Sequence, residues 1–241
     1  MANNLTLEDI DNLYLWYTRL EGNELGSKEE ILDIEIIEAK NSLPKEVFKL
    51  NSLEWLKIEV KDLTEIPKEI ENLSISNLIN LDIIDCHNLK ELPKEIGNLT
   101  NLINLGIIDC PNLGELPKEI GNLTNLRGLM IKDCPNLKEL PKEIGNLTNL
   151  HSLDIEGCHN LKELPKEIGN LTNLEYLTIE SCHNLKELPK EYWNKDMKEQ
   201  EVKIKIENGD NIELLKSTLD SAISNSANKS LELRIELKNL D

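Results

Sequence analysis

The sequence predicts an α/β solenoid, a right-handed stack of short coils with a parallel β-sheet along one side. Three observations carry this. Leu-Pro pairs recur at Leu92-Pro93, Leu116-Pro117, Leu140-Pro141, Leu164-Pro165 and Leu188-Pro189, always 24 residues apart, after looser copies at Leu43-Pro44 and Ile66-Pro67. Cys86, Cys110, Cys134, Cys158 and Cys182 keep the same period, and PKEIGNLTNL returns almost unchanged from Pro93, Pro117, Pro141 and Pro165. The alternation Leu81-x-Ile83 is the period-two mark of a short strand with one buried face. A single coil of this length cannot bury its own leucines, whereas stacked coils cover one another.

The elements follow in chain order. Thr6 followed by Asp9 reads as a capping pair. Leu7, Ile10, Leu13, Tyr14, Tyr17 and Leu20 keep helical spacing, which predicts an amphipathic helix over 6–20 that covers the first coil and ends at Gly22 and Gly26. Residues 1–30 form this cap, and Ile31, Ile34 and Ile36 begin the first strand. In each coil the strand gives way to Leu-Pro, which cannot continue a ladder, so a turn follows. Ile96, Leu99 and Leu102 then return apolar groups to the interior. Between Ile66-Pro67 and Leu92-Pro93 the spacing grows to 26, which predicts an enlarged convex loop near Ser74-Ile75-Ser76.

The repeats span 31–200, and beyond Pro189 the pattern decays. Val202, Ile204 and Ile206 predict a strand, Asn208-Gly209 a turn, and Asp210 a cap for a helix whose face is Ile212, Leu215, Leu219 and Ile223. Leu231, Leu233, Ile235 and Leu237 alternate as a last strand. Residues 201–241 are therefore expected as a β-α-β cap with a parallel final strand, an antiparallel one being the alternative.

The stretch Leu78 to Pro93, L-x-x-L-x-I-x-x-C-x-x-L-x-x-L-P, resembles the leucine-rich repeat. Its Cys variant is similar to repeats of plant intracellular immune receptors, and LPKEIGNLTNL to those of bacterial leucine-rich proteins. The resemblance covers roughly 31–206 and implies a protein-binding solenoid with Leu81, Ile83 and Cys86 turned into the core. A thiol is small enough to bury and donates weakly to a carbonyl. Cys86-His87, Cys158-His159 and Cys182-His183 look like ligand pairs, but neighbours in that turn face opposite ways, so no metal and no cofactor are expected.

The 241 residues carry a net charge of -18. This argues against nucleic acid, whose phosphates want Lys and Arg, and against an anionic membrane. No apolar run is long enough to span a bilayer. The cysteines occupy one repeat position with none in the end segments, and no signal sequence is visible. A cytoplasmic location, or delivery into a host cytosol, is the expectation. The sequons at Asn98, Asn122, Asn146 and Asn170 are then read as loop asparagines that bond exposed backbone amides.

Recognition is expected where the copies differ. The outward strand positions of the concave sheet include Trp55, Lys57, Asp82, Ile84, Ile108, Met130, Lys132, Asp154, Glu156, Tyr176 and Glu180. Acids outnumber lysines, Ile84 and Ile108 make an apolar pair, and Trp55 and Tyr176 are large amphipathic anchors. The expected activity is non-catalytic binding of a protein with a basic, partly apolar surface, by a monomer. The alternative is a ligand-sensing repeat region of a larger immune-receptor-like, effector or ubiquitin-ligase protein. No catalytic residues are expected: glycine-rich phosphate loops are missing, and the one serine-histidine-aspartate grouping, Ser152, His151 and Asp154, lacks an oxyanion pocket on a flat sheet.

Overall fold

The computed structural model describes residues 5–193, 200–207, 216–217, 220 and 231–238. Among the described residues, nine strands stand side by side in chain order, each parallel to the next. They are β1 (Ile36–Ala39), β2 (Trp55–Ile58), β3 (Asn80–Ile84), β4 (Asn104–Ile108), β5 (Gly128–Lys132), β6 (Ser152–Glu156), β7 (Tyr176–Glu180), β8 (Gln200–Glu207) and β9 (Leu231–Lys238). Register is constant through the repeats: Leu81 pairs with Leu105, that with Leu129, then Leu153 and Leu177. Every coil thus places the same side chains at the same depth, and the leucines, isoleucines and cysteines form one continuous core.

Opposite the sheet, the repeated coils return through 3-10 turns such as Lys94–Asn98 or Lys118–Asn122, and the last through a short α-helix, Lys190–Trp193. Proline stands just before it in an extended conformation, and its carbonyl accepts the first turn bond, Ile96 N–H to Pro93 O at 3.0 Å. The repeated glycine explains the uniformity of these turns. A Cβ on Gly97 would strike the Glu119 carbonyl oxygen of the next coil, and one on Gly145 would stand 2.5 Å from that of Glu167. Only glycine lets the coils approach this closely. The turn Lys68–Ile75 is longer than its neighbours, which absorbs the two extra residues at the predicted place.

The post-strand residue is the left-handed hinge of the coil. Asp85, Asp109, Asp133 and Ser181 have φ of 54°, 50°, 50° and 53°, and Gly157 has 63°. Asp and Gly tolerate this region far better than branched residues. The following thiol then points inward. Cys86 is fully buried, its Sγ 3.4 Å from the Ile84 carbonyl and 3.7 Å from that of Ile58.

The first helix, α1 (Leu7–Leu15), carries the predicted capping box, with the Asp9 amide bonding Thr6 Oγ1 at 3.1 Å and Asp9 Oδ2 accepting from the Thr6 amide at 2.8 Å. It continues as a wider π-helical turn, Trp16–Leu20. The buried face agrees with the expected one in part, Ile10, Leu13 and Tyr17 packing on the core. Leu7 is 84% exposed, while Leu13 and Trp16 enter the core and Trp16 Nε1 donates to Ser42 Oγ at 3.0 Å. Trp16 opens the π turn, whereas Leu7 stands two turns earlier, in the first turn of the helix, and faces solvent. Lys49 Nζ lies 2.9 Å from Asp9, which ties the helix to the 3-10 turn Lys45–Lys49. Ile31 and Ile34 precede rather than begin the first strand: Ile31 sits buried in a 3-10 turn, Glu29–Asp33.

At the other end the final strand is parallel, as the crossover reading predicts. The Asn208-Gly209 turn, Asp210 and the proposed helix face Ile212, Leu215, Leu219 and Ile223 lie outside the described residues. Lys216, Ser217 and Asp220 are helical, and Ser217 Oγ donates to the Lys186 carbonyl at 3.0 Å, so this crossover touches the last repeat.

Candidate functional site on the sheet face

Strand pairing sets the outward residues into three rows that run across the strands. The first reads Trp55, Asn80, Asn104, Gly128, Ser152, Tyr176. The second reads Lys57, Asp82, Gly106, Met130, Asp154, Thr178, and the third Ile84, Ile108, Lys132, Glu156, Glu180. All eleven residues singled out from the sequence thus belong to one surface. Ten are at least partly exposed, Trp55 at 38% and Tyr176 at 50%. Glu180 departs from the expectation: it is only 7% exposed, so its carboxylate is largely withdrawn from the face.

The face is partly knitted together. Trp55 Nε1 donates to Asp82 Oδ2 at 2.8 Å, and the Asn104 carboxamide donates to Asn80 Oδ1 at 2.8 Å. Lys57 Nζ is 2.7 Å from Glu59, and Lys132 Nζ is 2.9 Å from Glu156. Hydrogen bonding to those carboxylates raises both lysine pKa values, and the Lys57 ammonium lowers that of Glu59. Among the described residues, Asp82 and Asp154 take no salt bridge, so the face keeps a net negative field around them.

The middle of the face is low. Gly106 lies beneath the Asp82 carboxylate, and a Cβ on Gly128 would meet the Asn104 side-chain oxygen at 2.7 Å. Large side chains stand on either side of this floor: Trp55 and Tyr176 at its ends, and Ile84 and Ile108 opposite each other in the third row.

The histidines take other positions. His87 Nε2 is 3.3 Å from Asp109 Oδ2, and Asp85, His87 and Asp109 bring ligand-type atoms within 4.8 Å of one another on the rim. The buried thiol of Cys86 is turned away from this group, as expected for neighbours in that turn. The aspartate that precedes the cysteine in three successive copies was the sequence signal for this cluster. His159 and His183 stack at 4.8 Å. His151 Nδ1 lies 2.7 Å from the Asn149 carbonyl oxygen, so its ring is engaged by its own loop, while Ser152 Oγ is 3.5 Å from Asp154.

The stacked thiols shift one another's pKa in both directions: Cys134 is lowered by its bond with Cys110 and Cys182 by its bond with Cys158. Cys110 is pushed up to about 12 by the adjacent Cys134 thiol and by burial, and Cys86 is raised by Cys110 and by burial. Cys86 and Cys110, held protonated, are poor nucleophiles, and all five thiols are buried.

The asparagine reading needs correction. The carboxamides of Asn125, Asn149 and Asn173, not those of the sequons, donate to the carbonyls of Thr100, Thr124 and Thr148 in the preceding coil, at 2.9, 2.8 and 2.7 Å. They meet carbonyls rather than amides because each lies over the preceding coil's turn. The sequon residue Asn98 bonds the Glu71 carboxylate instead, at 3.1 Å.

Residues 31–134 and 117–202 match a family model described as a leucine-rich repeat region. Among solved structures, the chain is similar to the leucine-rich repeat domain of the type III effector XopL, at 26% identity and a TM-score of 0.51, over 66% of this chain and 64% of that one. It is also similar to a leucine-rich repeat protein of Leptospira interrogans, at 25% identity and a TM-score of 0.56, over 90% of this chain and 65% of that one. The chain therefore spans about two thirds of each of those chains. A search of curated proteins returned no match. Among the described residues, no helix is long and apolar enough to cross a membrane.

Proposed function

Since the chain belongs to the leucine-rich repeat family, whose domains are typically scaffolds for protein–protein interaction, we propose that it is a non-catalytic module that binds a protein on the outer face of its sheet. The partner presents a basic, partly apolar surface. One observation carries this reading. A core that hardly changes from coil to coil holds a face on which no two strands carry the same set of residues, with acids predominant and Trp55 and Tyr176 exposed. A uniform scaffold with a nonuniform surface is the design of a recognition platform. Monomeric behaviour and a reducing compartment belong to the same reading, and the five buried cysteines, which form no disulfide, support the latter.

The similarity to a repeat domain of an effector favours a second reading, in which this solenoid selects the partner for a longer effector-like protein. Both readings place recognition on the same face.

Affinity capture with three proteins tests it: the native chain, a sheet variant (Asp82→Lys, Asp154→Lys, Glu156→Lys) and a variant reversed away from the sheet at exposed Glu139 and Glu163. The partner should be lost from the sheet variant and kept by the other. Retention by the sheet variant would refute the proposal.

A further inference from the structure

We propose that the sheet face takes a single extended, positively charged peptide segment laid across the strands between Trp55 and Tyr176. Its basic side chains stand four residues apart, with an apolar side chain midway. This rests on the proposed binding face and specifies its occupant.

The spacing of the strands sets the length. Trp55 on β2 and Tyr176 on β7 are five strands apart, roughly 24 Å at about 4.8 Å per strand. About seven extended residues at about 3.4 Å each fill that distance. Between the two aromatics the first row carries only Asn80, Asn104, Gly128 and Ser152, so the floor is low along its length.

The second row sets the register. Asp82 on β3 and Asp154 on β6 are three strands apart, roughly 14 Å. An extended chain covers that in about four residues, and residues four apart lie on the same side because side chains alternate with period two. Basic groups at both positions therefore reach both carboxylates at once. The residue midway stands between Gly106, which adds no side chain of its own and is covered by the Asp82 carboxylate, and Met130, which offers a pliable apolar surface. Ile84 and Ile108 extend that apolar contact in the third row.

Charge and width select the occupant further. Lys57 and Lys132 are already held by Glu59 and Glu156, which leaves Asp82 and Asp154 for cations from outside. The floor is two outward rows wide, about 7 Å along the strand. That accommodates one extended chain and is narrower than a helix of about 10 Å.

The probes are blocked peptides of one composition in which two lysines flank a leucine, with the lysines three, four or five residues apart. Binding is read by calorimetry at low salt against the native chain, Asp82→Asn, Asp154→Asn and the double variant. The four-residue spacing should bind at least about fivefold more tightly than the others, and each Asn variant should weaken it by about fivefold. The two losses should multiply, because the sites are well separated. Circular dichroism of the Asn variants checks the fold. Equal binding at all spacings overturns the registered segment while leaving a basic-seeking face intact. Absence of peptide binding, with a protein partner still lost from the charge-reversed sheet variant, also overturns the segment and spares the broader reading. Binding that ignores both Asn variants overturns both.

Discussion

On the convex side, Pro117 to Asn122 repeats Pro93 to Asn98 residue for residue, and the glycine of each turn abuts the backbone of the next coil. On the sheet side, Gly106 faces only the Asp82 carboxylate, and its row runs Lys57, Asp82, Gly106, Met130, Asp154. The contrast shows where repetition is enforced. Where backbone meets backbone there is one solution, and every coil must adopt it. Where side chains meet water, each coil is free to differ, and recognition can be written there without cost to the stack.

The strongest test of this contrast uses neighbours on one strand. Leu129 points into the core at 1% exposure and Met130 points out. Leu129→Ala should cost about 3 kcal/mol in urea unfolding. Next comes the glycine pair. Gly121→Ala drives a methyl group against the Glu143 carbonyl oxygen and should cost about 2 kcal/mol. Gly106→Ala meets a side chain that can swing away, and its smaller loss in the same assay would confirm that backbone, not space alone, sets the penalty.

Weaker effects belong to the N-terminal cap. Thr6→Ala removes a capping oxygen and should cost about 1 kcal/mol at neutral pH. Asp9 there is held at about 2, against 3.8 ordinarily, by Lys49 and by the Thr6 amide. A depressed carboxylate adds stability above its unfolded pKa and loses it as pH falls. Melting curves should thus show the Asp9 contribution fade from pH 3.8 toward 2. The smallest change is Met130→Ala, within about 0.5 kcal/mol for an outward residue, so that it alters binding and leaves stability in place.

Much of this was legible in the sequence because stacked repeats convert a one-dimensional period into a three-dimensional register. The repeat strands and the enlarged turn before Leu78 follow from spacing, and the inward thiols from the resemblance to leucine-rich repeats. What was hidden depends on contacts between coils. The left-handed twist at Asp85, Asp109 and Asp133 is a dihedral property that no spacing reveals, though Gly157 and Ser181 at the same position hint at it. The burial of Trp16 at the start of a π turn is likewise something that regular helical periodicity does not anticipate. The withdrawal of Glu180 belongs to the last coil of the series, where the pattern no longer predicts its surroundings. The role of Asn125 rather than Asn122 depends on which carboxamide reaches the preceding coil, and both stand in the same repeated phrase.

The constant offset from β3 to β7 has a consequence for how such a molecule can change. Excising one 24-residue cassette would leave a neighbour with matching contacts on either side, so the cut could heal without repacking. The platform would then be shorter by one strand, roughly 5 Å, and would lose a single line of its recognition text. The protein behaves in this respect as an adjustable ruler, with two end pieces that stay put and graduations that can be added or removed between them.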